Sequence, residues 1–247
     1  STTATKSNGG YLLDGTKIFI TNGNEADVFV VMATMDRSLR TRGINALVVE
    51  RDTEGMTITK QHGKMGMRAS STAEIVFDSS PVPEENRLGP EGQGFKQAMQ
   101  SLNTSRIEIA AQALGIAQAA YEAAVSYAQQ RKAFGQHIAG FQGIQWMIVE
   151  MATNIEAARH LVYNAATLRD RGLPFVKEAS MAKLFASRVA VESADKAVQI
   201  HGGTGYFAPT PAERYYRDAK VTEIYEGSSE VQRLIIARNI LETEATP

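Results

Sequence analysis

The 247 residues exceed the ~150 usual for one domain, so two domains are expected, and the 43% hydrophobic content suffices for a substantial core. Lys plus Arg (26) nearly balance Asp plus Glu (27), and the net charge of −1 offers no footprint for nucleic acid or an anionic membrane surface. The absence of Cys excludes disulfides, thiol catalysis and Cys-ligated metals, and fits a reducing compartment. No apolar run approaches the ~18 residues of a membrane helix, so no membrane partner is expected. The first residues do not read as a charged-then-apolar leader either.

Residues 10 to about 80 carry strand signals. Thr16 to Thr21, Asp27 to Thr34, Ile44 to Glu50 and Thr72 to Phe77 are short and rich in β-branched residues, with turn formers such as Asn22-Gly23-Asn24 and Arg42-Gly43 between them. With no helical pattern among them, they predict an antiparallel barrel or sandwich. Pro81, Pro83 and Pro90, with Gly89, Gly92 and Gly94, mark a boundary. The spacing is helical beyond it. Ile107, Ala110, Leu114, Ala117 and Tyr121 share one face; Ile144, Met147, Met151, Ile155, Ala158 and Val162 share another. A third helix is expected from about Pro174 to Ile200, stopped by Gly202-Gly203, and a last one from near Ser229. The fold class is therefore α+β: a β middle domain over 1–88, then an up-down four-helix bundle over 89–247.

The segment Ile224 to Arg233 is the most informative for function. Glu226 precedes a Gly, and Ser229-x-x-Gln232 then opens a helix with apolar Val231, Leu234 and Ile235. A carboxylate thereby sits beside a helix N-terminus, whose unpaired amides favour anions; the same pattern also describes an ordinary helix entry. Gly89-Pro90-Glu91-Gly92-Gln93-Gly94 lacks the Lys-Ser/Thr of a P-loop and reads as a linker. His62, His137, His160 and His201 include no i, i+4 pair with an intervening acid, so no metal site is expected. Met147 and Met151 at helical spacing read as core. Arg131, in Arg131-Lys132-Ala133-Phe134-Gly135, either complements a helix dipole or faces a phosphate. Gln199 to Tyr206 either caps a helix with glycine or lets backbone approach a ligand closely.

Taken in order, several segments resemble the acyl-CoA dehydrogenase family, in particular its short-chain (butyryl-CoA) branch. They are Gly15 to Gly23, Lys64 to Arg68, Gly92 to Phe95, Ala110 to Gly115, Arg131 to Gly135, Gln199 to Tyr206, Glu213 to Asp218 and Ile224 to Arg233. The resemblance covers nearly the whole chain. It implies a β-barrel-like middle domain followed by a four-helix bundle, and non-covalent FAD. Phe19, Ile20 and Thr21 match the segment lying against the flavin. Arg131, Phe134 and Gln142 match residues that hold FAD from a neighbouring subunit, and Gln199, Ile200, His201, Gly202 and Gly203 match a stretch that also reaches that partner's cofactor. Ser228, Ser229 and Glu230 match contacts to the chain's own FAD.

The resemblance further implies α,β-dehydrogenation of a short-chain acyl-CoA to a trans-2-enoyl-CoA, with Glu226 removing the α-proton and the flavin taking hydride from the β-carbon. Other branches carry the base just before the Arg of the first bundle helix. Here that position is Ser105, which cannot serve, so the role falls to Glu226. Arg106, Asn103, Tyr225 and Gly227 are expected at the substrate, although Leu102-Asn103-Thr104-Ser105-Arg106 departs from the Asp or Gly-rich step usual in the family. The implied partners are an electron-transfer flavoprotein and further copies of the chain, as a dimer or tetramer sharing FAD sites, in a bacterial cytoplasm or mitochondrial matrix. The family's N-terminal helical domain and a flavin-binding loop have no counterpart in these residues. The same fold also admits an acyl-CoA oxidase, a dehydrogenase of branched or cyclic acyl-CoA, or an inactive assembly module.

Overall fold

A computed structural model describes residues 2–241; residue 1 and residues 242–247, at the outer ends of the two expected domains, lie outside the described residues. The chain divides into two compact units. One holds the described residues up to Lys64 together with Arg68–Ser101; the other holds Met65–Met67 and the described residues from Leu102 onward.

The first unit contains a six-stranded sheet built from β1 (Thr3–Ser7), β2 (Gly10–Thr21), β3 (Val28–Thr34), β4 (Ile44–Glu50), β5 (Met56–Lys60) and β6 (Thr72–Pro83), in the order β4-β3-β1-β2-β6-β5. Period-two alternation shows most clearly in β3, where Phe29, Val31 and Ala33 are buried and Val28 and Val30 are exposed. Ala4, Tyr11, Leu13, Leu47, Val49, Ile75, Phe77 and Val82 complete its core. The neighbours pair antiparallel except β1 and β3, which meet in parallel at Thr3↔Thr34. Among the described residues the sheet is mixed and open, with β4 and β5 as edges. β1 and β5 are five residues each; β1 carries almost no apolar alternation, and β5 alternates over only Met56 and Ile58, a run too short to be singled out by pattern.

The long β2–β6 ladder is interrupted twice, between Leu13 and Gly15 and between Lys17 and Ile20. At the second irregularity Phe19 takes a left-handed φ of 61°, and its ring is 72% exposed. The glycine-rich segment before the helices is packed backbone: Asn45 Oδ1 accepts the Gly92 N–H at 2.7 Å, and a Cβ on Gly94 would stand 2.4 Å from the Asn45 carbonyl carbon.

The helical elements are α1 (Gly94–Gln130), α2 (Gln142–Asp170), α3 (Val176–His201), α4 (Gly203–Tyr206), α5 (Pro211–Ala219) and α6 (Ser229–Leu241). The first residues of α1 belong to the first unit and the remainder to the second. In the second unit one core joins α1, α2 and α3, and small residues dominate it: Ala110, Ala117, Ala124, Ala158, Ala186 and Ala190 are all fully buried. Alanine lets helix axes approach closely without loss of helix propensity. Glu150, early in α2, pairs with Lys196, late in α3, at 3.3 Å, so these helices run antiparallel. Tyr127 and His201 stack at 4.3 Å and bring the C-terminal ends of α1 and α3 together. The up-down arrangement follows. α3 ends at Gly202 (φ 60°), where the sequence placed its stop.

Candidate functional site

The turn entering α6 is built from two consecutive left-handed residues, Glu226 (φ 55°) and Gly227 (φ 97°). Gly adopts that region freely, whereas Glu there is held against a cost of order 1–3 kcal/mol. The surroundings supply the holding. Tyr225 anchors one side, its hydroxyl donating to Gln112 Oε1 and its N–H to Val221 O at 3.1 Å. On the other side Gln232, fully buried, donates from Nε2 to Gly227 O at 2.9 Å and to Glu226 O at 3.4 Å. Lys183 Nζ donates to the same Gly227 O at 2.7 Å. The Ser229-x-x-Gln232 signal thus starts a helix where expected, but Gln232 spends its side chain on the preceding turn's carbonyls rather than on a helix-opening N–H.

The Glu226 side chain is half-buried, and its Oε2 accepts a hydrogen bond from Ser105 Oγ at 2.7 Å. The Glu226 N–H makes no hydrogen bond among the described residues. One residue beyond Ser105, Arg106 is 4% exposed, donates to Asn103 Oδ1 at 2.7 Å and leaves its Nε without a partner. Burial pushes the Arg106 guanidinium down, against the pull of the Glu226 charge. Burial likewise raises the Tyr225 hydroxyl, which Gln112 partly offsets, and lowers Lys183 to about 8. A carboxylate, a spare N–H donor and a buried cation with an orphaned N–H therefore converge. Glu226, Ser105, Arg106, Asn103, Tyr225 and Gly227 come together in this part of the second unit.

Past the turn, Ser228, Ser229 and Glu230 line a cavity of about 670 Å³ whose apolar walls include Leu161, Met181, Leu184, Phe185 and Ile236. Its own backbone N–H and the Ser228 side chain hold the Glu230 carboxyl below the usual range, as expected at a helix N-terminus.

The remaining residues singled out from sequence lie elsewhere. Arg131 follows Ser105 along α1 by roughly 39 Å at the α-helical rise per residue. There β7 (Lys132–Ala133) and β8 (Gln136–His137) form a hairpin whose tip residues, Phe134 (φ 48°) and Gly135 (φ 81°), both have positive φ. Phe134 is 95% exposed, and the Arg131 guanidinium has no partner among the described residues. The Tyr127–His201 stack brings Gln199 to Gly203 to this end. Gln142 begins α2 there, exposed, as is Gln199. Gly202 and Gly203 have open space where a Cβ would stand. Ile200 and His201 face inward, His201 Nδ1 lying 2.7 Å from Ala197 O, so only their backbone faces outward. An unpaired guanidinium, a bare aromatic ring and two open glycines suit a nucleotide with its phosphates. Phe19, Ile20 and Thr21 belong to the first unit, with Phe19 and Thr21 exposed. Among the described residues no group of three or more His, Asp or Glu is placed to hold a metal ion, and no helix is long and apolar enough to cross a membrane.

Sequence reading missed Lys183 as a member of the site. The available signal was a lysine on the α3 stripe otherwise made by Ala179, Ala182, Ala186 and Ala190, where a charge has no packing reason.

Comparison with known proteins agrees with this architecture. The acyl-CoA dehydrogenase middle-domain model matches residues 1–80, and the acyl-CoA dehydrogenase C-terminal-domain model matches residues 92–241. The chain is 56% identical over 240 residues to an acyl-CoA dehydrogenase of Bacillus subtilis (strain 168), covering 97% of this chain and 63% of that protein. It is 51% identical over 241 residues to the mitochondrial short-chain specific acyl-CoA dehydrogenase of Mus musculus, covering 98% and 58%. The structure of butyryl-CoA dehydrogenase from Megasphaera elsdenii matches with a TM-score of 0.95 at 48% identity, over 98% of this chain and 63% of that one. The chain spans about three-fifths of the length of these relatives. It belongs to the acyl-CoA dehydrogenase family, of which it carries the middle and C-terminal domains.

Proposed function

We propose that the protein acts in FAD-dependent α,β-dehydrogenation of a short-chain acyl-CoA to the trans-2-enoyl-CoA, with Glu226 as the base for the α-proton. The observation that carries this is the Glu226 turn: a carboxylate aimed by a left-handed backbone, with its own N–H unpaired. Ser105, at the alternative base position, donates a hydrogen bond to that carboxylate, and a neutral hydroxyl is far too weak a base to take a proton from carbon. The likeness to short-chain relatives supports the substrate class.

The α-proton of a thioester is too weakly acidic for an unaided carboxylate, so charge arising on the thioester oxygen has to be met by fixed donors. The free Glu226 N–H is such a donor, one of a kind worth roughly 3–4 kcal/mol in the transition state. The buried Arg106 adds positive charge beside the base at no cost of reorganisation. Asn103 fixes the Arg106 fork. Tyr225 and Gly227 border the base and shape its approach.

The fit to FAD rests on two groups of residues. Ser228, Ser229 and Glu230, in the second unit, would contact the chain's own FAD; Phe19, Ile20 and Thr21 of the first unit are proposed, from the family resemblance alone, as flavin contacts. Arg131, Phe134, Gln142 and Gln199 to Gly203 would hold the FAD of a neighbouring copy. The ~39 Å along α1 supports the second half of this reading, since one cofactor does not reach from Ser105 to Arg131. When bound, FAD supplies acceptance of the β-hydride. The working form is then at least a dimer, with an electron-transfer flavoprotein as the acceptor of electrons, in a bacterial cytoplasm or a mitochondrial matrix. The test is the visible absorption of the holoenzyme under anaerobic butyryl-CoA. Bleaching of the flavin supports the reading; a spectrum unchanged by short-chain acyl-CoA overturns it.

A further inference from the structure

Lys183 is fully buried on α3, on a stripe shared with Ala179, Ala182 and Ala186. An ammonium withdrawn from water is costly unless acceptors hold it, and an apolar residue would serve the packing better. Among the described residues no carboxylate stands within ion-pairing distance of Nζ; its hydrogen bond goes to a neutral carbonyl, Gly227 O at 2.7 Å. Glu223, from the short 3-10 segment before the turn, Glu226, from the turn, and Glu230, from α6, favour its charge, while Arg106 opposes it from α1. Burial outweighs them and lowers Lys183 to about 8. Gln232, also fully buried, reaches the same carbonyl from α6 at 2.9 Å and the Glu226 carbonyl at 3.4 Å. Two costly buried donors thus converge on a turn whose two residues, Glu226 and Gly227, both have left-handed φ.

We propose that Lys183 is a positioning residue for the base: with Gln232 it grips the carbonyls of Gly227 and Glu226 and holds the turn that sets the direction of the Glu226 carboxylate. This rests on the reading of Glu226 as the base. Lys183 serves geometry at a cost to folding, and this separates it from a structural lysine. Removal of a structural lysine would lower stability; removal of this one lowers proton abstraction while stability is kept or rises.

The test uses the FAD-loaded holoenzyme carrying Lys183→Met, Gln232→Met, both together, or Glu226→Gln. An acyl-CoA with oxygen in place of the β-carbon has no β-hydrogen to lose, so deuterium uptake at its α-carbon reads proton abstraction alone. Uptake is expected to fall at least 30-fold in Lys183→Met and in Gln232→Met. The Kd of the analogue should stay within threefold, and the urea midpoint of Lys183→Met should be unchanged or raised. The double variant should lose less than the product of the two single losses, because both donors act through one carbonyl. Uptake within threefold of wild type in both single variants overturns the proposal, as does a fall that merely tracks a lowered midpoint. Wild-type uptake in Glu226→Gln overturns the base assignment and this inference with it. Loss in Glu226→Gln alone leaves the base in place and removes the positioning role. Should Lys183→Met not accumulate folded, Gln232→Met decides by the same criteria.

Discussion

Ser105 Oγ donates a hydrogen bond to Glu226 Oε2 across 2.7 Å, joining the first bundle helix to the turn before the last. The two residues are 121 positions apart in sequence, and the bond ties the proposed base to α1 as well as to α6. A hydrogen bond to a charged group is worth ~1.5–3 kcal/mol. Part of that is recovered when water takes the place of the hydroxyl. Ser105→Ala is therefore expected to lower kcat about 3- to 10-fold with KM nearly unchanged. Steady-state kinetics on butyryl-CoA checks this, and an unaltered kcat would show that Ser105 does not orient the base.

Glu226→Gln keeps the shape of the side chain and the Ser105 partner but removes the basicity. General-base contributions are typically 10²–10⁴-fold. Turnover is expected to fall by at least that much while acyl-CoA still binds. Near-wild-type turnover would end the assignment.

Gly227 has φ 97°, and a Cβ there would stand 2.6 Å from Gln232 Nε2, a side chain with no room to withdraw because it is fully buried. Gly227→Ala should cost about 1–3 kcal/mol of stability. It should also break the grip on the turn, so that kcat falls together with the urea midpoint. An alanine variant as stable and as active as wild type would mean that the turn is soft.

The buried Lys183 gives a pH dependence of known sign. Its folded-state pKa is about 8 against an ordinary 10.5. Between those values the unfolded chain holds a proton that the folded chain has released, so unfolding free energy rises with pH across the window. Below pH 8 the full desolvation penalty is present; above 10.5 it is gone. Lys183→Met lacks this contribution. The urea midpoint of wild type, taken relative to that variant, should therefore climb from pH 7 to pH 9.5. Parallel profiles would show that the ammonium is well solvated.

Subunit mixing tests the division of the cofactor site. Arg131→Ala changes an exposed residue and should fold normally, yet weaken FAD binding roughly 10-fold or more through loss of a charge-assisted contact. If Arg131 serves a neighbour's FAD while Glu226 serves its own, co-assembled Arg131→Ala and Glu226→Gln chains rebuild one intact site per pair. Activity should exceed that of either variant alone. No recovery on co-assembly would assign both residues to one chain's site.

Much of this protein could be read from its order of residues. Period-two runs such as Val28–Thr34, and helical spacing such as Ile144 to Val162, are local consequences of which face is buried, and they marked β3 and α2 directly. Gly202 marked the stop of α3 because a left-handed cap needs no partner far away. The family was likewise legible, since a motif is a local string. Other features rest on pairings between distant residues. The parallel Thr3↔Thr34 bridge makes the sheet mixed, and no local pattern encodes a strand's neighbour. Ile200 and His201 sit in a glycine-rich motif, yet packing against α1 turns their side chains inward. In sequence Lys183 is only a lysine on an alanine stripe, with nothing local to say what it contacts. Only the close approach of α3 to the Gly227 carbonyl, permitted by the alanines around it, buries its charge where it can act on the turn.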